Sequence, residues 1–168
     1  MHRLLGGLFA VSLLAAPMAE AEEHCSAPAD QSAFEVEALK SELMVLATGC
    51  HDDAQYNAFM TRYKSQLVAN EREFDAYFKR VYGPRRAQRE HDAYITSLAN
   101  AQSDVGLKQG SDFCPRNGVV FDEVMALQGD ADLPPYAAGK DLIPTSLGAC
   151  AAPPAPAVKS RSHRHASK

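Results

Sequence analysis

The sequence predicts an all-α protein, built from three to four antiparallel helices in a small bundle. Apolar side chains recur at alternating steps of three and four residues from residue 36 to residue 105, which is the spacing of one helical face. No stretch of the sequence has the two-residue alternation that is typical of a half-buried strand. A length of 168 residues also favours one domain, because two independent cores would each be small.

The first helix is predicted near residues 33–48. Ser32-x-x-Glu35 has the pattern of a capping box, in which two side chains satisfy free backbone amides at a helix start. Gly49 favours the end of this helix. Its apolar face consists of Val36, Leu39, Leu43 and Leu46.

Residues 53–82 continue the helical spacing up to Gly83, and Asp52 is placed to cap their start. The apolar positions are Tyr56, Met60, Tyr63, Leu67, Phe74, Tyr77 and Val81. Asn70 is the polar member of this series and forms a second capping-box pattern with Glu73. The segment is therefore either one long helix or two helices that meet at Asn70. We favour one helix, with a kink at Asn70.

Two more helices are predicted after the Gly83-Pro84 turn, near residues 85–104 and 117–128. Pro84 is compatible with the start of the first of these, because Pro is tolerated in a first helical turn. Their apolar faces consist of Ala87, His91, Tyr94, Leu98, Ala101 and Val105 in the former, and of Val120, Phe121, Val124 and Leu127 in the latter. Asn70 in the segment 53–82 and Asn100 in the helix near 85–104 lie at or near the apolar faces of their own segments. Both are candidates for hydrogen bonds between helices.

The composition changes from Gly129 onward. Pro134-Pro135 and Gly139 disfavour a helix, so residues 129–150 are predicted to wrap the bundle as an extended loop. Residues 151–168, the tail, join a Pro/Ala spacer to a basic end. The tail is predicted to be disordered, because it has no apolar face to bury.

Residues 1–21 have the features of a secretory signal peptide. An apolar run over Leu4–Ala16 follows a basic start, and Ala19-Glu20-Ala21 presents small residues where a signal peptidase cleaves. This run is shorter than the roughly 20 apolar residues that cross a bilayer. We expect a mature periplasmic or secreted chain with no transmembrane span. In it, a linker over residues 22–31 precedes a helical domain over residues 32–128.

All four cysteines remain after cleavage; they are Cys25, Cys50, Cys114 and Cys150. An even number of cysteines in an oxidising compartment favours two disulfides, and their spacing leaves three pairings open. The spacing contains no CxxC pair. It therefore gives no support to a zinc ribbon, a thioredoxin-like redox site or covalently attached c-type haem.

Short motifs are spread over residues 38–128. They are Ala38–Leu43, Tyr56–Phe59 with Arg62, Tyr77-Phe78, Tyr82-Gly83, Thr96, Leu98–Asn100, Ser103 and Phe121, together with Cys50 and Cys114. In these motifs the chain resembles a group of small, secreted, uncharacterised helical proteins of Gram-negative bacteria. The resemblance implies an exported helical domain in which Cys50 pairs with Cys114, which leaves Cys25 for Cys150. It implies no activity, cofactor or catalytic residue.

Charge is distributed unevenly along the chain. Residues 22–53 carry eight acids and one base, whereas residues 54–103 carry eight bases and five acids. Five bases surround the Gly83-Pro84 turn and are called the basic turn here: Lys79, Arg80, Arg85, Arg86 and Arg89. We expect this cluster either to dock an acidic protein or a phosphate-bearing glycolipid, or simply to complement helix ends and the acidic first helix.

The tail contains four bases and no acid. These bases are Lys159, Arg161, Arg164 and Lys168. We expect them to contact an anionic envelope surface. The whole chain has a formal net charge of −4, so its composition does not predict binding to nucleic acid.

His91-Asp92 with Tyr94 is the best candidate for acid–base chemistry, because His titrates near neutral pH. However, His91 lies on an apolar helical face, which favours a partly buried imidazole hydrogen-bonded across the bundle. His51-Asp52-Asp53 offers metal-ligand types, although Asp at a helix start more simply caps that helix. His163-x-His165 offers two imidazoles without a third fixed ligand.

Motifs of common enzyme classes are absent from the sequence, which contains no GxSxG, HExxH or Gly-rich phosphate loop. We therefore predict no catalytic residue, metal site or cofactor. The leading hypothesis is an exported, non-enzymatic binding or envelope-associated protein. The alternative is a small periplasmic chaperone activated by acid, and an enzyme with a site near His91 is the third hypothesis.

Overall fold

A computed structural model describes residues 28–150, which contain seven α-helices and no β-strand. The predicted all-α class is confirmed. The helices are α1 (Pro28–Cys50), α2 (Asp53–Arg62), α3 (Lys64–Tyr82), α4 (Ala87–Gln109), α5 (Phe113–Asn117), α6 (Val119–Met125) and α7 (Leu133–Lys140). Residues 1–27 and 151–168 lie outside the described part, and with them the signal peptide, most of the linker, Cys25 and the tail.

The central element is α1, against which α2, α3, α4, α5 and α7 all pack. Phe34, Leu39 and Leu43 are fully buried in it. A helix enclosed in this way needs apolar residues on more than one face, which explains the many Ala, Val and Leu residues of this segment.

The three long helices alternate in direction. Arg80 pairs with Asp30, and Glu71 pairs with Lys40, so α3 runs antiparallel to α1. The chain then reverses at Gly83, whose φ of 74° is a conformation that only glycine adopts without strain. The reversal brings α4 back along α3.

The core has two parts, one on each half of α1. The C-terminal half packs against α2, α5, α6 and α7, with Phe59, Phe121 and Leu133 fully buried. The N-terminal half packs against α3 and α4 around Phe34. Phe34 meets the rings of Phe74, Tyr77 and Tyr94 edge-on, with centroids 4.8–4.9 Å apart. This edge-to-face geometry is the one that aromatic quadrupoles prefer.

The segment 53–82 breaks at Tyr63, which corrects our preference for one helix with a kink at Asn70. Tyr63 has φ −97° and ψ 17°, outside helical geometry, and its buried hydroxyl donates to the Val124 carbonyl at 2.6 Å. Asn70 lies inside α3 instead. Its amide donates across the bundle to the Ala33 carbonyl at 3.2 Å and to Glu37 Oε1 at 3.0 Å.

The region 129–150 contains a helix, so the prediction of an extended loop is wrong for α7. Pro134 and Pro135 occupy the first helical turn, where a missing backbone amide costs nothing. Leu133 and Ala137 are buried against the core, and this burial stabilises a helix that its composition disfavours.

Several helix boundaries also differ from those predicted from the sequence. The capping box at Ser32 is wrong, because Ser32 lies inside α1, which continues to Cys50. His51 takes the left-handed conformation after that helix, with φ 62°, instead of Gly49. The helix predicted near 85–104 extends over 87–109. The helix predicted near 117–128 is two short helices, α5 and α6.

Cys50 and Cys114 form a disulfide, with their Cα atoms 5.6 Å apart. The bridge connects the end of α1 to α5, and the two cysteines are 64 residues apart in the sequence. Cys150 also takes part in a disulfide. Within residues 28–150, no helix has both the length and the apolarity needed to cross a membrane.

Candidate functional site

The basic turn lies where α3 ends and α4 begins. Acidic neighbours contact three of its five bases: Arg80 meets Asp30 at 2.5 Å, Arg89 meets Glu90 at 2.7 Å and Lys79 meets Asp75 at 3.7 Å. The contacts of Arg89 and Lys79 are largely exposed, and exposed ion pairs are individually weak, whereas the Asp30 carboxylate that pairs with Arg80 is buried. They match the expectation that part of the cluster complements nearby acids.

Arg85 and Arg86 differ from those three bases. Arg85 is exposed, and neither side chain forms an ion pair or hydrogen bond with any described residue. The Arg86 guanidinium lies over the Tyr82 ring, 5.7 Å from its centroid. This stacking holds the guanidinium near the surface and leaves its N–H donors free for an anion.

The last described residues lie at this same end of the bundle. The Tyr94 hydroxyl donates to the Gly148 carbonyl at 3.1 Å. Ala149 and Cys150 pack on the core cluster that contains Ala87, the first residue of α4. The chain therefore reaches residue 150 on the core cluster that also contains Ala87, which lies between Arg86 and Arg89 of the basic turn.

His91 lies in the seam between α3 and α4, and only 12% of its side chain is exposed. Its Nε2 is 3.5 Å from Glu71 Oε1, and its Nδ1 is 3.4 Å from Asp75 Oδ1. Asp92 Oδ1 is farther from Nδ1, at 3.9 Å. A surface cavity of about 410 Å³ opens here, lined by Glu37, Lys40, Glu71, His91, Asp92, Ile95 and Thr96.

The acid–base group expected from the sequence is thus rearranged. The Tyr94 hydroxyl donates to the Gly148 carbonyl, and Asp92 accepts a hydrogen bond from Gln88 at 2.8 Å. The carboxylates of Glu71 and Asp75 face His91 instead. Sequence inspection missed these two acids, although their spacing of four residues on one helix was a usable signal.

A buried charge pair adjoins the seam. Glu37 is fully buried, and its Oε2 lies 2.5 Å from Lys40 Nζ. Burial raises the pKa of Glu37, because the nearby ammonium only partly offsets the lost hydration. Burial alone would lower the pKa of Lys40, but the Glu37 and Glu71 carboxylates together outweigh that effect and raise it.

A second hollow of about 560 Å³ lies on α2 and α3 and is lined by Thr61, Arg62, Lys64, Ser65, Val68 and Arg72. It is a shallow surface groove. The Arg62 guanidinium donates to the carbonyls of Met125 and Leu127, so it ties α2 to α6. This structural use of Arg62 reduces the cations that the groove offers.

Other sequence candidates have different environments from those expected. Asp52 precedes α2, but its side chain makes no capping hydrogen bond. Asn100 is exposed, and Gln102 makes the interhelical bond in its place, donating to the Ala38 carbonyl at 3.0 Å. His163 and His165 lie outside the described residues.

Comparison of the chain with protein families, with curated proteins and with solved structures returned no match. The resemblance to secreted helical proteins of Gram-negative bacteria therefore stays an expectation.

Proposed function

We propose that this protein is an exported, non-enzymatic protein that attaches to an anionic surface of the cell envelope through one basic end. The observation that carries the proposal is that Cys150 packs on the same core cluster as Ala87, which lies within the basic turn. The tail, which follows Cys150 in the sequence, is therefore attached to the half of the bundle that carries the basic turn.

The position of these bases matters because the rest of the mature chain is acidic. Residues 22–150 contain 12 bases and 20 acids, a net charge of −8. A protein with this charge would be repelled by an anionic surface if its bases were spread evenly. Bases that are concentrated at one end can face the surface while the acidic remainder points away.

The expected attachment is reversible. Each Lys or Arg near an anionic surface contributes about 1 kcal/mol. Arg85, Arg86 and the four tail bases then contribute roughly 6 kcal/mol at most, before repulsion by the acidic remainder. This corresponds to a dissociation constant no tighter than tens of micromolar, about 40 μM. Such binding retains a protein in a confined compartment and is lost in high salt.

Cosedimentation with phospholipid vesicles tests the proposal. The mature chain should bind vesicles that contain phosphatidylglycerol at low salt, and should not bind vesicles of phosphatidylcholine alone. Replacing Arg85 and Arg86 with Gln should weaken binding by up to about 30-fold, and ending the chain at Cys150 by up to about 10³-fold.

The matched control replaces Lys108 and Arg116, two exposed bases near the opposite end of α4, with Gln. This change removes the same charge from a surface that does not face the membrane, so binding should change much less. Equal losses in the two double variants, or no binding by the intact chain, would contradict the proposal. Salt-sensitive capture of an acidic protein by the same bases, without vesicle binding, would favour a protein partner.

The second candidate function, an acid-activated chaperone, is favoured by the attachment of α7. Glu123 on α6 accepts hydrogen bonds from Lys140 and from the Tyr136 hydroxyl, the latter at 2.8 Å. These bonds lower the pKa of Glu123, the one from Lys140 most. Protonation at low pH removes the ion pair and loosens α7. Because α7 packs on α1 through the buried Leu133, its release would expose apolar surface on both helices.

Binding of an apolar dye and protection of a client protein from aggregation, both measured from pH 7 to pH 3, test this function. The chaperone function predicts that dye binding and client protection rise together on acidification. A chain that keeps its near-UV circular dichroism at pH 3 and protects no client is not an acid-activated chaperone.

A further inference from the structure

We propose that Glu71, Asp75 and His91 form a binding site for a divalent transition-metal ion of the zinc type, in the seam between α3 and α4. Each of the three residues offers one ligand atom, and these atoms lie within 4.8 Å of one another. Among the described residues, no other three His, Cys, Asp or Glu side chains meet this condition.

The helices place these ligands without any special loop. Glu71 and Asp75 are one helical turn apart on α3 and project from the same face. His91 comes from the antiparallel α4 and inserts between them. Its Nδ1 lies 3.4 Å from Asp75 Oδ1, which matches the separation of about 3.4 Å between neighbouring ligands around a tetrahedral Zn²⁺. Glu71 Oε1 faces the other ring nitrogen, Nε2, at 3.5 Å, and Glu71 completes the set of three residues whose ligand atoms lie within 4.8 Å of one another.

Both carboxylates are already oriented by a lysine. Lys40 Nζ lies 3.0 Å from Glu71 Oε2, and Lys79 Nζ lies 3.7 Å from Asp75 Oδ2. In each acid the oxygen that faces His91 is the other one, Oε1 or Oδ1. Partners that hold a ligand in position through its second atom are typical of metal sites.

The imidazole is held in place by packing. The rings of Phe74 and Phe78 lie against it, with centroids 5.1 and 5.5 Å away. Its Nδ1 is buried and makes no hydrogen bond. A buried polar atom without a hydrogen bond is costly, so a group that satisfies it would add stability.

The local charge also favours a cation. The charged groups that face His91 and its two acids are Glu37 and Lys40 from α1, Glu71, Asp75 and Lys79 from α3, and Asp92 from α4. Four carboxylates thus stand against two ammonium groups. The mixture of one imidazole with carboxylates suits Zn²⁺ and its neighbours better than the all-oxygen preference of Ca²⁺ or Mg²⁺.

Calorimetric titration with Zn²⁺ tests the site in the full mature chain after treatment with a chelator. His24, His163 and His165 lie outside the described residues and are replaced with Gln throughout, so that their imidazoles do not compete. This background should bind one equivalent of Zn²⁺. It should also bind Co²⁺ with a visible absorption band that reports nitrogen and oxygen ligands.

On this background, His91→Gln should weaken Zn²⁺ binding by at least about 100-fold, since even the loss of an outer-shell partner weakens metal sites 10- to 100-fold. Glu71→Gln and Asp75→Asn should weaken it similarly and alter the Co²⁺ band. The matched control is His51→Gln, which removes the imidazole beside Asp52 and Asp53 and should leave binding unchanged.

Circular dichroism of each variant shows whether it is folded. If His91→Gln does not fold, Asp75→Asn decides, because Asp75 is a partly exposed side chain that a folded protein tolerates losing. The proposal is overturned if the background chain binds no Zn²⁺, if His91→Gln and Asp75→Asn both bind it normally, or if Ca²⁺ competes equally. Equal competition by Ca²⁺ would indicate unspecific attraction to acidic groups.

Discussion

Tyr63 determines where the longest helical segment of the sequence bends. Its side chain is fully buried, and its hydroxyl satisfies the Val124 carbonyl of α6. The backbone hydrogen bonds Tyr63 N to Phe59 O and Leu67 N to Tyr63 O are kept, so the bend interrupts the helix without separating its halves. The apolar spacing is continuous through Tyr63, so the interruption coincides with a contact to a distant element and not with a gap in that spacing.

We predict that Tyr63→Phe lowers the free energy of unfolding by about 1–2 kcal/mol, because the buried Val124 carbonyl loses its donor. Urea unfolding of the variant and the parent chain measures this difference. Tyr56→Phe is the matched control, since Tyr56 is only partly buried and its hydroxyl bonds to no described residue. Equal effects of the two changes would mean that the bond to Val124 contributes nothing.

At the scale of elements, α7 depends on contacts from other parts of the chain. Its eight residues include two prolines and a glycine, and it is too short to be stable alone. Burial of Leu133 and Ala137 against the core holds its apolar side. The hydrogen bonds from Tyr136 and Lys140 to Glu123 hold its polar side to α6.

The pH dependence of the Glu123 contact has a definite sign. The pKa of Glu123 is lowered in the folded chain, so its carboxylate stabilises the fold above the unfolded pKa and ceases to do so as the pH falls through the folded pKa. We therefore predict that Glu123→Gln is less stable than the parent chain at pH 7 and that the two become similar near pH 3.

Urea unfolding at both pH values measures the effect of Glu123→Gln. Asp122→Asn is its control, because Asp122 is exposed and bonds through its side chain to no described residue. A difference between Glu123→Gln and the parent that persists unchanged at pH 3 would show that the ion pair with Lys140 is not its cause.

The Cys50–Cys114 bridge acts at the same scale, because it joins the end of α1 to the short helix α5. In the chain-entropy model, closing a loop of 64 residues stabilises the fold by about 4 kcal/mol. Replacing both cysteines with Ser should therefore lower the free energy of unfolding by roughly that amount. Denaturant unfolding of the double variant measures it, and a loss below about 1 kcal/mol would contradict the model.

At the scale of the whole molecule, the distribution of charge matters more than its sum. The acidic first helix pairs internally with α3, through Asp30 with Arg80 and through the contacts of Lys40. The bases that keep no acidic partner among the described residues include Arg85 and Arg86 at the end where residue 150 lies. In the proposed function, these two bases are the ones that face the envelope surface.

The proposed attachment to the cell envelope requires that the protein is exported. We predict that the protein isolated from its host lacks residues 1–21 and carries no lipid on Cys25. Intact-mass measurement decides both points. A mass that retains Leu4–Ala16, or that includes an acyl group, would contradict the prediction of a mature chain released by a signal peptidase.

Much of the architecture could be predicted because periodicity is a local property of the sequence. The spacing from Val36 to Val105 identifies the all-α class and the positions of three long helical segments. The Gly83-Pro84 pair locates the reversal between α3 and α4, since a positive φ requires glycine there. The resemblance to secreted proteins supplied the Cys50–Cys114 pair, which cysteine spacing alone left open.

The remaining features depended on tertiary contacts, which local sequence does not encode. The bend at Tyr63 follows from a carbonyl 61 residues away, and α7 forms because α1 and Glu123 hold it. His91 was visible as a polar residue on an apolar face, but its neighbours Glu71 and Asp75 became adjacent only when α4 folded back along α3. Helical spacing shows which side chains share a face, whereas packing decides which faces meet.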